Sequence, residues 1–244
     1  MLLRDEIINY GKQYIDLMHS VDNGRYKSWE HCFNAFLNYK RKTLYESDID
    51  YLCLHLAFYL ASWGMYRGSS FLLQRDYRVH IKAVKELLES KYDKLWSISC
   101  EDLASDKQCL NDLFSLAWSL KDIYSEIRRD VNISLNKKDP AQAVSDVLVT
   151  KILMGTLGCV PAYDRYFKNG IKAYGVSTMQ FNHNGIRRLC EYYIANSQPF
   201  EHWRCSISDS NITYPQMKVL DMVFWQKGYD LDLNKEKSSY MVDI

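Results

Sequence analysis

The chain has 244 residues, 47% of them hydrophobic, and carries 31 Lys and Arg against 30 Asp and Glu, a formal charge of +1. This composition excludes a disordered chain, and the near-zero balance leaves only a local basic patch as a basis for binding a polyanion. Seven dispersed cysteines with no C-x-x-C, and an N-terminus that gains charge at Arg4, predict reduced thiols, no signal peptide and a cytoplasmic location.

Leu3, Ile7, Tyr10, Tyr14 and Leu17 recur at helical spacing and predict an amphipathic helix over residues 2–19, ended by Asp22-Asn23-Gly24. Ser28 with Glu30 opens a second helix, apolar at Trp29, Phe33, Phe36 and Leu37, that runs to about Tyr45. Ser47 or Asp48 then caps the most apolar stretch of the chain, the sixteen uncharged residues Tyr51 to Tyr66. It is shorter than the roughly 20 residues a bilayer requires. It therefore predicts a central core helix over residues 48–66, enclosed by other helices.

Val79, Ile81, Val84, Leu87 and Leu88 mark a further helix; residues 95–106 read as irregular, and Asp106 caps a helix through Leu110, Leu113, Leu120 and Ile127. Asp139-Pro140-Ala141-Gln142 sets a cap, a first-turn proline and a third-position glutamine in order, and predicts a helix carrying Val144, Leu148, Ile152 and Leu153. Gly155 and Gly158 break it. Residues 167–178 read as a surface loop or tight hairpin with Gly170 and Gly175, and residues 182–196 as a helix. Tyr214-Pro215 opens a last helix that stops at Gly228. The expectation is an all-α, multi-helix globular bundle of roughly nine or ten helices, divisible into two closely packed lobes, residues 1–130 and 139–229, with a flexible tail at 230–244. The Gly155–Asp164 bend is expected at the edge of the second lobe.

Three places combine charge with backbone irregularity. Arg67, directly after the apolar run, must reach solvent or an anionic group, because an unpaired buried charge is expensive. With Ser69 and Ser70 it forms a candidate phosphate site, the alternative being a capped helix junction. Arg75-Asp-Tyr-Arg-Val-His80 resembles the R-x4-6-H signature of HEPN-type all-helical domains, several of which are metal-independent ribonucleases. That resemblance implies a homodimer in which Arg75 stabilises phosphate charge and His80 moves a proton; the alternative is a solvent-facing Arg75, Asp76, Arg78 and Lys82 with His80 at a packing boundary.

Lys151 through Asp164, a helix, a Gly-x-x-Gly turn, a proline and an aspartate, resembles the hairpin and following acid of helix-hairpin-helix DNA-glycosylase-like domains. The resemblance implies that Gly155 and Gly158 admit a phosphate to the backbone, that Lys151 is a phosphate contact or nucleophile, and that Asp164 is the acidic catalytic group. It departs from the family in lacking the usual short Pro-Gly-Val-Gly-type turn, and the alternative is that Asp164 caps backbone amides while Lys151 is solvated. Arg187 and Arg188, beside His183, form a further candidate phosphate-binding patch or an ordinary solvated helix start.

The six histidines show no metal-ligand spacing, and no phosphate-loop, dinucleotide-binding or nucleophile-elbow motif occurs, so neither metal nor cofactor is expected. The functional expectation is a soluble helical protein associated with RNA or DNA through local basic patches, with no membrane partner. The alternatives are a nucleic-acid-processing enzyme, HEPN-like or helix-hairpin-helix glycosylase-like, and a structural or protein-interaction module.

Overall fold

The computed structural model describes residues 4–136, 143–176 and 179–242, and among these every regular element is helical. The all-α expectation holds. Eleven α-helices follow in order: α1 (Arg4–His19), α2 (Ser28–Tyr39), α3 (Glu46–Ser62), α4 (Ile81–Leu87), α5 (Cys100–Ser105), α6 (Lys107–Ser134), α7 (Asp146–Thr156), α8 (Arg165–Ala173), α9 (His183–Ala195), α10 (Ser197–Ile207) and α11 (Gln216–Val242), with short 3-10 turns between several of them. No helix among the described residues is long and apolar enough to cross a membrane.

Side-chain caps set several of the starts. Asp106 accepts from the amides of Gln108 and Cys109 and opens α6, as the sequence predicts. Ser145, Asp164 and Asn182 do the same for α7, α8 and α9. At α3 the cap is Tyr45, whose amide donates to Asp48 at 2.9 Å, so Asp48 serves from the third position of the helix. The start predicted at Asp139–Gln142 lies outside the described residues.

One continuous core takes residues from both predicted lobes. The first helix packs on the last two, α10 and α11, while α2 and α3 pack on α7. Gly11 of α1 lies against the Trp203 ring of α10, and Trp29 Nε1 of α2 donates to the Met154 carbonyl of α7 at 2.9 Å.

Two stretches exchange the roles that hydropathy assigns them. The run expected at the centre is buried along Leu52, Cys53, Leu56, Tyr59 and Leu60, but its opposite face stands open at Tyr51 (45% exposed), Leu54 (53%) and Phe58 (58%). By contrast, every residue from 148 to 163 is buried, Lys151 included. The Gly155–Asp164 bend therefore lies in the core and not at an edge, because α2, α3, the residue 97 turn and α11 all close on it.

Residues 167–173, predicted as loop, belong to α8, and α11 continues through Gly228 to Val242. Both differences have one cause. A Cβ at Gly170 would overlap the Phe224 carbonyl of α11, and a Cβ at Gly228 would overlap the Tyr166 carbonyl of α8. These glycines sit inside helices and let two backbones touch, and Phe167 and Ile171 are fully buried beside that crossing. Burial of this kind contributes roughly 2–3 kcal/mol per side chain.

Candidate active site

The bend between α7 and α8 is tied at four points. Gly158, in the left-handed region at φ +65°, donates its amide to the Leu153 carbonyl, and the Ser97 amide donates to the Leu157 carbonyl. The Ala162 amide donates to Asp221 Oδ1 and the Tyr163 amide to Thr150 Oγ1, both at 3.0 Å. The last bond brings the chain back over the residue next to Lys151. As a result Asp164, one position beyond Tyr163, faces Lys151.

Lys151 Nζ lies 3.5 Å from Asp164 Oδ2 and donates to the Trp63 carbonyl at 2.8 Å. The two side chains are only 7% and 15% exposed. Asp164 Oδ1 accepts from the Phe167 amide at 3.1 Å, so the carboxylate caps α8 with one oxygen and presents the other to the lysine. Burial holds the Lys151 amine below the ordinary lysine range, opposed by the charges of Asp164 and Asp221.

A second buried pair lies behind the first. Lys218 Nζ reaches Asp221 Oδ2 and the Tyr14 hydroxyl, both at 3.2 Å, with Trp63 between the two lysines: its ring centroid is 5.7 Å from Lys151 Nζ and 5.9 Å from Lys218 Nζ. Burial lowers the Lys218 amine and raises the Asp221 carboxyl, and each partner's charge resists that shift.

The Lys151–Asp164 pair forms the floor of an open cleft of about 500 Å³ lined by Arg25, Trp63, Arg67, Arg165, Tyr166 and Trp225 among others. Its aromatic wall is built edge to face. Trp63 meets Tyr26 at 5.4 Å and Trp225 at 5.8 Å, while Trp225 meets Tyr166 at 5.1 Å. Arg25 lies 5.4 Å over the Trp63 ring, and Arg165 lies 4.8 Å over Tyr166 while pairing with Asp232 at 2.7 Å.

The indole N–H groups of Trp63 and Trp225 are buried and meet no acceptor among the described residues. A buried unsatisfied donor costs about 1–3 kcal/mol. The hydroxyls of Tyr59 and Tyr163 are likewise buried and meet no partner among the described residues.

The other predicted residues lie elsewhere. Arg67 lines the cleft, its guanidinium packed on Gly64, which is held at φ +77°. Ser69 is exposed near it, whereas the Ser70 hydroxyl donates to the Met65 carbonyl at 2.6 Å and accepts from the Leu72 amide, capping the four-residue 3-10 turn Phe71–Gln74. His80 is fully buried. Its Nε2 sits 2.7 Å from the Tyr66 hydroxyl and its Nδ1 2.6 Å from the Tyr124 hydroxyl, and burial lowers it to about 3. Arg75 is exposed and lines a separate surface hollow that His80 does not reach. Arg187 and Arg188 are exposed on α9, away from the cleft lining.

Gly155 and Gly158 do admit close approach, but of protein to protein. A Cβ at 155 would overlap the Tyr59 ring, and one at 158 would crowd Phe33 and Pro215. The turn is filled, so no phosphate reaches these amides.

Lys218, Asp221, Trp63, Trp225, Tyr26 and Arg25 escaped the sequence reading. A signal existed for two of them: Lys218 and Asp221 stand one helical turn apart in the otherwise apolar run Met217–Trp225, where a charge is tolerated only with a partner. Among the described residues no group of three or more His, Cys, Asp or Glu side chains is placed to hold a metal ion. Comparison with protein families, with curated proteins and with solved structures finds no match to this chain, which leaves the geometry to carry the functional reading.

Proposed function

We propose that this protein takes one nucleotide of a nucleic-acid strand into the cleft and acts on its glycosidic carbon. The single observation behind the reading is the Lys151–Asp164 pair at the floor of an aromatic cleft rimmed by Arg25, Arg67 and Arg165. Arg25 and Arg67 suit a backbone phosphate, Arg165 being paired with Asp232, while the rings suit a base face and the buried pair lies where the sugar would arrive. A base inside a duplex cannot reach such a floor, so the nucleotide enters unstacked.

The pair divides the chemistry. An amine attacks carbon only when neutral, and burial moves Lys151 in that direction. Asp164, held by the first turn of α8, places a carboxylate beside the sugar, where it offsets positive charge developing on the ring. This division agrees with the glycosylase-like alternative read from the sequence, although the filled glycine turn removes that family's phosphate contact.

Borohydride trapping on a single-stranded oligonucleotide with an abasic site tests the reading. The Lys151 amine adds to the C1′ aldehyde, the adduct loses water to give an imine, and hydride from borohydride reduces it to a stable secondary amine. The expected result is a covalent complex located at Lys151, more abundant as pH rises and absent in Lys151→Met. Trapping that persists in Lys151→Met, or no binding of oligonucleotide at low salt, overturns it.

A further inference from the structure

Lys218 and Asp221 take no part in the chemistry proposed above, yet their side chains are only 2% and 4% exposed, deeper than Lys151. Asp221 serves two partners at once. Its Oδ1 accepts from the Ala162 amide at 3.0 Å, two residues before Asp164, while Oδ2 meets Lys218 Nζ at 3.2 Å. Asp221 thereby holds the segment that carries Asp164 back to Lys151. Lys218 is surrounded by groups that favour its charged form. The rings of Tyr14 and Trp29 are each centred 5.0 Å from Nζ, the Trp63 ring 5.9 Å, and the Tyr14 hydroxyl accepts from it.

Trp63 is common to both pairs, since Lys151 Nζ lies 5.7 Å from the same ring. Charges this close and this buried act on one another with little screening. Lys151 is faced by Asp164 at the start of α8, by Asp221 of α11 and by Arg67 after α3. Lys218 is faced by Asp221 and Asp164, by Glu30 of α2 and by Tyr14 of α1, and Tyr59 of α3 faces both carboxylates. Asp221 thus acts on both amines. Left without its partner, it would favour the protonated form of Lys151; Lys218, 3.2 Å away, offsets that pull.

We propose that Lys218 and Asp221 are positioning residues for Lys151: Asp221 fixes the Asp164 segment through the Ala162 amide, and Lys218 cancels the Asp221 charge, so that the Lys151 amine answers to one carboxylate in place of two. This rests on the reading of Lys151 as the nucleophile and adds the device that prepares it. A buried ion pair is often no more stable than apolar side chains of the same volume. Its proximity to a second pair gives it work that such side chains could not do.

Competitive labelling of the full chain with acetic anhydride across a pH series, read at Lys151 by peptide mass spectrometry, follows the neutral amine and needs no substrate. Asp221→Asn keeps an oxygen for the Ala162 amide and deletes the charge, so the labelling midpoint is expected to fall by roughly one pH unit. Lys218→Met leaves Asp221 unopposed and is expected to raise the midpoint by a similar amount. In the double variant the two effects cancel and the midpoint returns to that of the parent. The pH dependence of borohydride trapping is expected to follow the same order. Should Lys218→Met fail to fold, the fall in Asp221→Asn and its reversal in the double variant, which buries neither charge, decide the matter. Shifts of one sign in both single variants, unchanged midpoints, or a double variant that keeps the Asp221→Asn shift overturn the proposal, whether or not trapping succeeds. Labelling that shifts as expected while the parent traps no oligonucleotide supports the coupling and overturns the function proposed for Lys151.

Discussion

Lys151 with Asp164 and Arg75 with His80 enter from the sequence on equal terms, each a basic residue with an acid–base partner near a helix boundary. The structure separates them. Lys151 and Asp164 are joined because the Thr150–Tyr163 hydrogen bond folds the chain back on itself, and the result is a charged pair open to a cleft on one side. Arg75 and His80 are parted because the 3-10 turn Tyr77–His80 directs the histidine into the core, where two tyrosine hydroxyls occupy both ring nitrogens. Short separation in sequence brings side chains together only when a tertiary bond closes the intervening loop.

The comparison breaks most readily at Asp164. Asp164→Ala removes a helix cap and leaves Lys151 beside no carboxylate, and is expected to lower stability by roughly 3–5 kcal/mol in urea unfolding, with part recovered in the Lys151→Met double variant. A loss below about 1 kcal/mol would mean that the pair is solvated and that the floor of the cleft has been misread.

His80 sharpens the other side. Its folded-state value of about 3 lies below the ordinary 6.5, so between those limits the unfolded chain takes a proton that the folded chain refuses, and stability falls as pH drops. From pH 7 to pH 4 the parent protein is expected to lose about 3 kcal/mol more than His80→Gln. Parallel pH profiles for the two would show instead that the ring is protonated in the fold.

Arg75→Ala should move stability by no more than about 0.5 kcal/mol, as expected of an exposed side chain. It should leave borohydride trapping intact as well. An effect of Arg75→Ala on trapping would place it in the chemistry after all and dissolve the contrast.

The fold class and most helices could be read from apolar spacing, and the cap at Asp106 from residue type alone. What escaped did so for physical reasons. Gly170 and Gly228 read as helix breakers because glycine weakens a helix in isolation, yet the absence of a Cβ is what lets α8 and α11 touch. Residues 197–207, now α10, present only Phe200 and Trp203 to the core, too few for a periodic signal. Half the site was legible because Lys151 and Asp164 flank one turn. The aromatic wall was not, since Trp63, Tyr166 and Trp225 converge from three helical regions that share no local pattern.

The carbonyl that accepts from Lys151 belongs to Trp63, the residue closing the last turn of α3. On the proposed function, the amine that meets a substrate would also be the one that caps a helix's negative end. Covalent capture would draw it away from that carbonyl and loosen the final turn of α3. Chemistry at the floor would then be registered as fraying at Gly64 and Arg67, which also line the cleft.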